Sequence, residues 1–172
     1  MTSRLEVEPL TAAHSDELFD PLNDALLHTF VGGEPLTREQ LTARCRRLAV
    51  RRSPDGSEVW ANWALRERGS GQVIGTLQAT LPAGGPSAGF AQVAWVVASR
   101  WQGVGLAKEA ASELLERLVL SGWTVAAHIH PRHLASQGVA RSAAMVPTTI
   151  TQDGETRWLR TPARTPPRTP PL

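Results

Sequence analysis

The stretch that decides the fold covers residues 94–118 and reads AWVVASRWQGVGLAKEAASELLERL. It predicts a buried strand over 93–98, a glycine-spaced loop over 102–107 and then a long amphipathic helix. The apolar residues of that helix keep helical spacing and mark one buried face: Ala107, Ala110, Ala111, Leu114, Leu115 and Leu118. We therefore expect an α/β fold built around this strand–loop–helix unit.

The loop has the features of an anion site. Gly103 and Gly105 leave no side chain over it, so main-chain N–H groups can point outward where the helix begins. Free N–H groups at the positive end of a helix dipole favour phosphate. We therefore expect a phosphate-bearing ligand at this loop.

Two nucleotide-binding motifs are excluded by the residues that follow the glycines. A P-loop needs Lys and then Ser or Thr directly after its last glycine, where Leu106 and Ala107 stand. The dinucleotide fingerprint needs a third glycine at position 108, which is Lys108, and an acidic residue about 20 residues later, which is missing. The pattern that remains is Gln102-x-x-Gly105-x-Ala107.

This pattern resembles the Q/R-x-x-G-x-G/A motif of the GCN5-related N-acetyltransferases (GNAT). The flanking segments Trp95-Val96-Val97, Trp101-Gln102-Gly103 and Glu109-Ala110 resemble the RimJ/RimL-like branch, which acetylates the N-termini of ribosomal proteins. The resemblance implies that the loop holds the pyrophosphate of acetyl-CoA. The implied cofactor-binding residues of the loop are Gln102, Gly103, Val104, Gly105, Leu106 and Ala107.

The order of elements along the chain is that of the same family. Strands are predicted over 4–8, 58–67, 72–81, 93–98, 123–130, 147–151 and 155–159, and helices from Thr11, after the capping box Thr37-x-x-Gln40, after the glycine loop and over 133–144. The resemblance implies a mixed central sheet that splays between its fourth and fifth strands, flanked by helices. Pantetheine would lie in the gap and pair with the main chain of Val96, Val97 and Ala98. We expect an acetyltransferase domain over 1–160 and a Pro- and Arg-rich disordered tail over 161–172.

A second segment, His130-Pro131-Arg132-His133-Leu134-Ala135-Ser136, resembles the P-x-N-x-A-S segment that opens the last helix of the ribosomal-type enzymes. There the Asn touches the cofactor and the serine lies near its sulfur. His133 replaces the Asn, and an imidazole offers one donor and one acceptor. Ser136 matches directly, although a hydroxyl in a first helical turn also commonly caps the backbone. The family's following Leu-Gly-Phe is Ala143-Ala144-Met145 here.

The resemblance implies direct attack of a neutral amine on the thioester. The main-chain N–H of Val97 is the candidate donor to the thioester oxygen, and Ser136 is the candidate for proton delivery to sulfur. Related enzymes often carry a Glu on the strand before the loop that helps to deprotonate the amine. The matching residue is Gln92, which cannot act as a base, so Glu34 or water held by its loop is the substitute candidate. The resemblance implies that the connection over 21–35, which contains Asp24, His28 and Glu34, lines the acceptor pocket, whereas each of these three residues taken singly is expected to be a solvated loop residue.

Composition excludes several other classes of protein. The 172 residues are 41% hydrophobic and 20% charged, which is ordinary for a globular domain. The net charge of +2 comes from tail arginines, so no basic stripe indicates nucleic acid, and no apolar run of about 18 residues indicates a membrane span. His128 and His130 share a strand face, but no further ligand follows at metal spacing, so we expect no metal. A single cysteine, Cys45, favours a reducing cytoplasm, and the arginine-rich composition favours a bacterial source.

Two functions stay open at this point. One is an acetyl-CoA-dependent enzyme that acetylates a primary amine, either a protein N-terminus or a small molecule. The other is a non-catalytic acyl-CoA-binding or interaction module, which His133, the altered last helix and the absence of tyrosine would fit. The sequence also leaves open whether the chain forms a homodimer.

Overall fold

The structure is a computed structural model that describes residues 3–31 and 33–162. In chain order, its strands and helices are β1 (Leu5–Pro9), α1 (His14–Leu22), α2 (His28–Val31), α3 (Arg38–Ala49), β2 (Glu58–Glu67), β3 (Val73–Pro82), β4 (Ala91–Val97), α4 (Leu106–Leu120), β5 (Val125–Ile129), α5 (Leu134–Ser142), β6 (Val146–Gln152) and β7 (Glu155–Arg160). Short 3-10 helices occupy Ala25–Leu27, Pro86–Ala88 and Ser99–Trp101.

The seven strands form one mixed sheet in the order β1-β2-β3-β4-β5-β7-β6. All neighbouring pairs are antiparallel except β4 and β5, which are parallel. These two pair only where they begin, at Ala91 with Val125 and Gln92 with Ala126. Beyond Gln92 they separate, which leaves one edge of β4 open and confirms the predicted splay between the fourth and fifth strands.

Helices cover both faces of the sheet, because successive strand residues point to opposite sides. Leu65 of β2 belongs to the larger core cluster, which includes the buried residues of α4. Its neighbour Ala64 belongs to a second cluster with Leu18 of α1 and Leu41 of α3. Five of the six residues predicted for the buried face of α4 are buried: Ala110, Ala111, Leu114, Leu115 and Leu118. Ala107 is only partly buried, and Leu106 is buried instead.

The observed starts of the helices agree with the predicted ones in one case and differ in another. The capping box is confirmed: Thr37 Oγ1 accepts the Gln40 N–H at 3.3 Å, and Gln40 Oε1 accepts the Thr37 N–H at 2.8 Å. The helix predicted from Thr11 begins later, at His14, because His14 Nδ1 accepts the Thr11 N–H at 3.0 Å and closes a turn first. The predicted loop over 21–35 also contains the short helix α2.

The predicted tail lies almost wholly outside the described residues, of which 161 and 162 are the last. Within the described part of the chain, no helix combines the length and the apolar character that crossing a membrane would require.

Candidate active site

The loop between β4 and α4 presents a run of open main-chain N–H groups. Gly103 (φ 80°) and Gly105 (φ 86°) take left-handed conformations that side-chain-bearing residues rarely adopt. Gly105 is the N-cap of α4 and the Glu109 N–H bonds to its carbonyl at 3.1 Å, but no described group accepts a hydrogen bond from the N–H groups of residues 103–108. The loop is therefore a concave set of donors at the positive end of a 15-residue helix.

The individual loop residues contribute in different ways. Leu106 is buried in the core and Ala107 is partly buried, so both offer the loop their main-chain N–H groups. Val104 is exposed, and its carbonyl accepts a hydrogen bond from Arg4. The Gln102 side chain turns back and donates from Nε2 to the Val97 carbonyl at 2.9 Å. Gln102 thus ties the loop to the end of β4.

Arg4 also supports the loop, which sequence reasoning missed. Its Nη1 donates to the Val104 carbonyl at 2.8 Å and its Nε to Glu109 Oε2 at 2.8 Å. Its Nη2 would lie 3.6 Å from a Cβ at Gly105. Burial raises the pKa of the Glu109 carboxyl, but the Arg4 main-chain and side-chain donors outweigh it and leave that pKa below its usual range. No local signal marked Arg4, because its partners are about 100 residues away in sequence.

The open edge of β4 exposes one of the three residues predicted to pair with the cofactor. The Ala98 N–H donates to the Ile74 carbonyl at 2.8 Å, on the β3 side. Because an antiparallel ladder alternates, the main chain of Val96 also faces β3 and that of Val97 faces the gap. Val96 and Ala98, which were expected to pair with the cofactor, are thus turned towards β3, and of the three residues only Val97 has its main chain towards the gap, where its carbonyl accepts the Gln102 side chain.

Across the gap, α5 begins with His133 as its N-cap residue and has Ser136 in its first turn. The His133 ring packs against the Phe30 ring of α2, with centroids 4.4 Å apart. Burial lowers the pKa of His133, and the nearby His130 lowers it further, which favours the neutral imidazole. The Ser136 hydroxyl forms no hydrogen bond with another described residue, so the capping alternative is not seen.

A cavity of about 480 Å³ lies on the α1 and α3 face of the sheet. Its floor includes Asn62 of β2, Gln78 of β3 and Ala94 of β4, which are paired neighbours across the three strands. Its volume falls within the range usual for small-molecule sites. The other lining residues come from β1's end, α1, the 3-10 turn before α2, the segment after it and α3: Leu10, Leu18, Phe19, Leu22, Asn23, Leu27, His28, Gly33, Glu34, Leu36, Leu41, Arg44, Cys45 and Leu48, with Thr76, Trp95 and Val96 from the sheet.

Two of the three residues expected to line this pocket do so. His28 and Glu34 line it, and Glu34 is the one carboxylate among its described lining residues. Asp24 does not, because its carboxylate accepts the Leu26 N–H at 2.9 Å and caps the 3-10 helix. Gln92, paired with Thr80, lies on the same sheet face as the pocket floor.

Both residues of the His pair considered for a metal already have a hydrogen-bond partner within the chain. Arg157 Nε donates to His128 Nε2 at 3.3 Å, and His130 Nδ1 accepts the Arg132 N–H at 3.1 Å. In the described ranges, no group of three or more His, Cys, Asp or Glu side chains is arranged to hold a metal ion.

Comparisons with known proteins agree with this geometry. The sheet order, the parallel fourth and fifth strands and the flanking helices define the GNAT fold. Residues 4–146 match the Acetyltransferase (GNAT) domain family, so the chain belongs to the GNAT acetyltransferase family. No curated protein matched the chain.

Solved structures resemble the chain over nearly its whole length. A protein described as a GnaT-family acetyltransferase from Bordetella pertussis is 26% identical, with a TM-score of 0.70, covering 92% of this chain and 95% of that one. RimL, a ribosomal alpha-N-protein acetyltransferase in complex with coenzyme A, is 14% identical, with a TM-score of 0.76 and coverages of 93% and 95%. AAC(6')-Ib in complex with ribostamycin and coenzyme A is 15% identical, with a TM-score of 0.74 and coverages of 92% and 94%. The last two share the fold with this chain.

Proposed function

We propose that the protein is an acetyl-CoA-dependent N-acetyltransferase that acetylates a primary amine by direct attack on the thioester. The observation that carries the proposal is the run of open N–H groups over residues 103–108, next to the free edge of β4. RimL acts on a protein α-amine, and AAC(6')-Ib holds an aminoglycoside, so family neighbours use both protein and small-molecule amines.

The residues present suit the phosphates of acetyl-CoA. Two glycines at positive φ keep side chains off the cradle, and a Cβ at Gly103 would meet nothing within 4 Å, so the space above it is open. Arg4 adds a cation at the same loop. Each charge-assisted N–H bond to phosphate contributes on the order of 1.5–3 kcal/mol. When bound, acetyl-CoA supplies an acetyl thioester.

Three groups of this chain are assigned to the chemistry. The Val97 N–H faces the gap and is the donor for developing negative charge on the thioester oxygen. Ser136, whose hydroxyl has no described partner, is the proton donor at sulfur, with His133 beside it as a cofactor contact. Glu34, at the rim of the pocket, is the candidate to accept the amine proton, directly or through water.

Binding of acetyl-CoA is tested by calorimetry on the wild type and on Gly105→Glu. The variant places a negative charge and a side chain in the cradle, so we expect affinity to fall by at least about tenfold. Gly154→Glu is the matched control, because Gly154 also has positive φ (81°) but lies in the β6–β7 turn. Folded wild-type protein that does not bind acetyl-CoA would contradict the proposal.

A non-catalytic acyl-CoA-binding module is the second candidate, and Gln92 is the observation that favours it. Where related enzymes often have a carboxylate facing the acceptor, this chain has an amide. Release of free thiol from acetyl-CoA across N-terminal peptides, aminoglycosides, polyamines and amino acids separates the candidates. Binding without turnover on any of these amines would favour the module.

A further inference from the structure

The acceptor pocket has a charge pattern that narrows the class of amine it holds, and this inference rests on the proposed function. Among its described lining residues, Glu34 is the one carboxylate and Arg44 the one guanidinium. A polycationic acceptor would leave most of its ammonium groups without a counter-charge in such a pocket. The pocket is therefore poorly suited to a polyamine or an aminoglycoside.

The floor of the pocket offers neutral hydrogen-bonding groups that nothing in the described chain uses. Asn62 and Gln78 are directly paired across β2 and β3, and Thr76 lies two residues along β3 on the same face. The side chains of these three residues form no hydrogen bond with another described residue, although Asn62 is only 9% exposed. Their polar atoms keep accessible surface at the cavity, so they are free to pair with a bound molecule. A ligand with polar groups at the floor would satisfy them.

The walls require an apolar body on the same ligand. Leu18, Leu22, Leu41 and Leu48 project from α1 and α3, and Leu36 joins them from the segment before α3. Such walls stabilise an apolar group through burial, at about 25 cal/mol per Å² removed from water. A small and wholly polar amine would leave the apolar walls in contact with water.

Arg44 supplies the remaining specificity. It stands on α3 at the pocket and forms no ion pair or hydrogen bond with another described residue. Guanidinium groups bind carboxylates through two parallel N–H bonds. We propose that the acceptor is a small amine that carries a carboxylate and an apolar body, in the class of hydrophobic amino acids and their short derivatives. Arg44 binds the carboxylate, and the floor binds the remaining polar groups.

The experiment uses reaction products, so that neither turnover nor the pKa of the amine enters the result. Calorimetry compares N-acetylleucine and N-acetylphenylalanine with their carboxamides on the full-length wild type, Arg44→Met and Arg46→Met. Methionine keeps an apolar stem without charge. Arg46 is the matched control, because it is exposed on the same helix and is not among the pocket-lining residues.

We expect the wild type and Arg46→Met to bind each acid about 3- to 10-fold more tightly than its amide, because Arg44 is exposed and solvent screens its charge. Arg44→Met should bind acid and amide equally. Equal affinities in the wild type, a preference that survives in Arg44→Met, or no binding of either compound at millimolar concentration would overturn the assignment. Thiol release that shows no preference for carboxylate-bearing amines would also overturn it while leaving the proposed function intact. Failure of acetyl-CoA to bind would instead contradict the proposed function, without changing this readout.

Discussion

The cofactor loop and the acceptor pocket are built from different parts of the chain. The loop is a local structure, in which residues 103–108 present main-chain N–H groups. Two glycines set its backbone conformation, and the N–H groups do not depend on the side chains of the other loop residues. The pocket is made of residues from three helices, three strands and the segments between them, and its polar floor exists only after the three strands have paired. A short sequence motif is therefore enough to encode binding of a shared cofactor. The residues that determine acceptor specificity can be exchanged one at a time.

The largest expected effect comes from Gly75, which lies where both regions meet. A Cβ there would lie 2.1 Å from the Val96 carbonyl oxygen. This oxygen belongs to the backbone, so the clash can be relieved only by displacing a strand. Gly75→Ala should cost at least about 4 kcal/mol of unfolding free energy in urea titrations, since it forces β3 from β4. Gly138→Ala in α5 is the control: it meets nothing within 4 Å and should stabilise by about 0.5–1 kcal/mol. Equal stabilities of the two variants would contradict the close strand contact.

The second prediction tests whether the pocket lacks a strong general base. At pH 7 a lysine amine with pKa of about 10.4 is neutral in about one molecule in 2,500, whereas an α-amine with pKa near 8 is neutral in about one in ten. With Gln92 in place of a carboxylate, kcat/KM should favour an α-amine over a matched lysyl amine by about 200-fold at pH 7. The measurement is kcat/KM against pH for both acceptors.

Two variants assign this preference to residues. Ser136→Ala should lower kcat without weakening acetyl-CoA binding, by about 100-fold for a lost proton donor. Glu34→Gln should lower kcat/KM most at low pH, where little amine is neutral. Unchanged rates in both variants, or faster acetylation of the lysyl amine at neutral pH, would remove these assignments.

The third prediction concerns an ion-pair cluster that stabilises a wall of the pocket and does not contact the loop. Hydrogen bonding to Arg66 first, and to His14 after it, outweighs burial and lowers the pKa of Glu8 to about 2, from 4.5. Since Glu17 binds the same guanidinium, this cluster fastens α1, one wall of the pocket, to β1 and β2. A lowered carboxyl pKa gives stability that is present above pH 4.5 and is lost as the pH falls from 4.5 towards 2.

The wild type should therefore lose on the order of 2 kcal/mol of unfolding free energy between pH 7 and pH 3 through this group. Glu8→Gln should be less stable at pH 7 and lose correspondingly less on acidification. Urea titrations at both pH values measure the difference. Parallel losses in the two proteins would show that Glu8 does not carry the effect.

The smallest effect is expected at Arg4, and it tests whether the charge of this side chain contributes to cofactor binding at the loop. Arg4 is about half exposed, so its charge is screened by solvent. Arg4→Met should weaken acetyl-CoA binding by about fivefold, on the order of 1 kcal/mol, and reduce the salt dependence of binding. Arg68→Met is the control, because Arg68 is equally exposed and pairs with Glu6 instead. Identical affinities of the two variants would show that the Arg4 charge does not reach the phosphates.

The same contrast explains what the sequence could predict. The loop, the buried face of α4 and the capping box at Thr37 depend on residues within about four positions of each other, so their spacing was sufficient. The bounds of the strand over 58–67 were likewise predicted correctly, because turn residues flank it. Arg4, Asn62 and Gln78 carry no local signal, since their importance comes from pairing between distant segments. Val96 and Ala98 were misplaced because the side of a ladder that a main-chain group faces depends on register.

The contact between Phe30 and His133 joins the two regions, since α2 follows directly on the pocket residue Leu27, and His133 opens the helix at the cofactor side. An acceptor that orders α2 thereby also orders the His133 ring. Such heterotropic coupling is reciprocal: if the acceptor raises the affinity for the cofactor by some factor, the cofactor raises the affinity for the acceptor by the same factor. The two substrates would then bind cooperatively, and a smaller side chain at residue 30 would weaken this coupling.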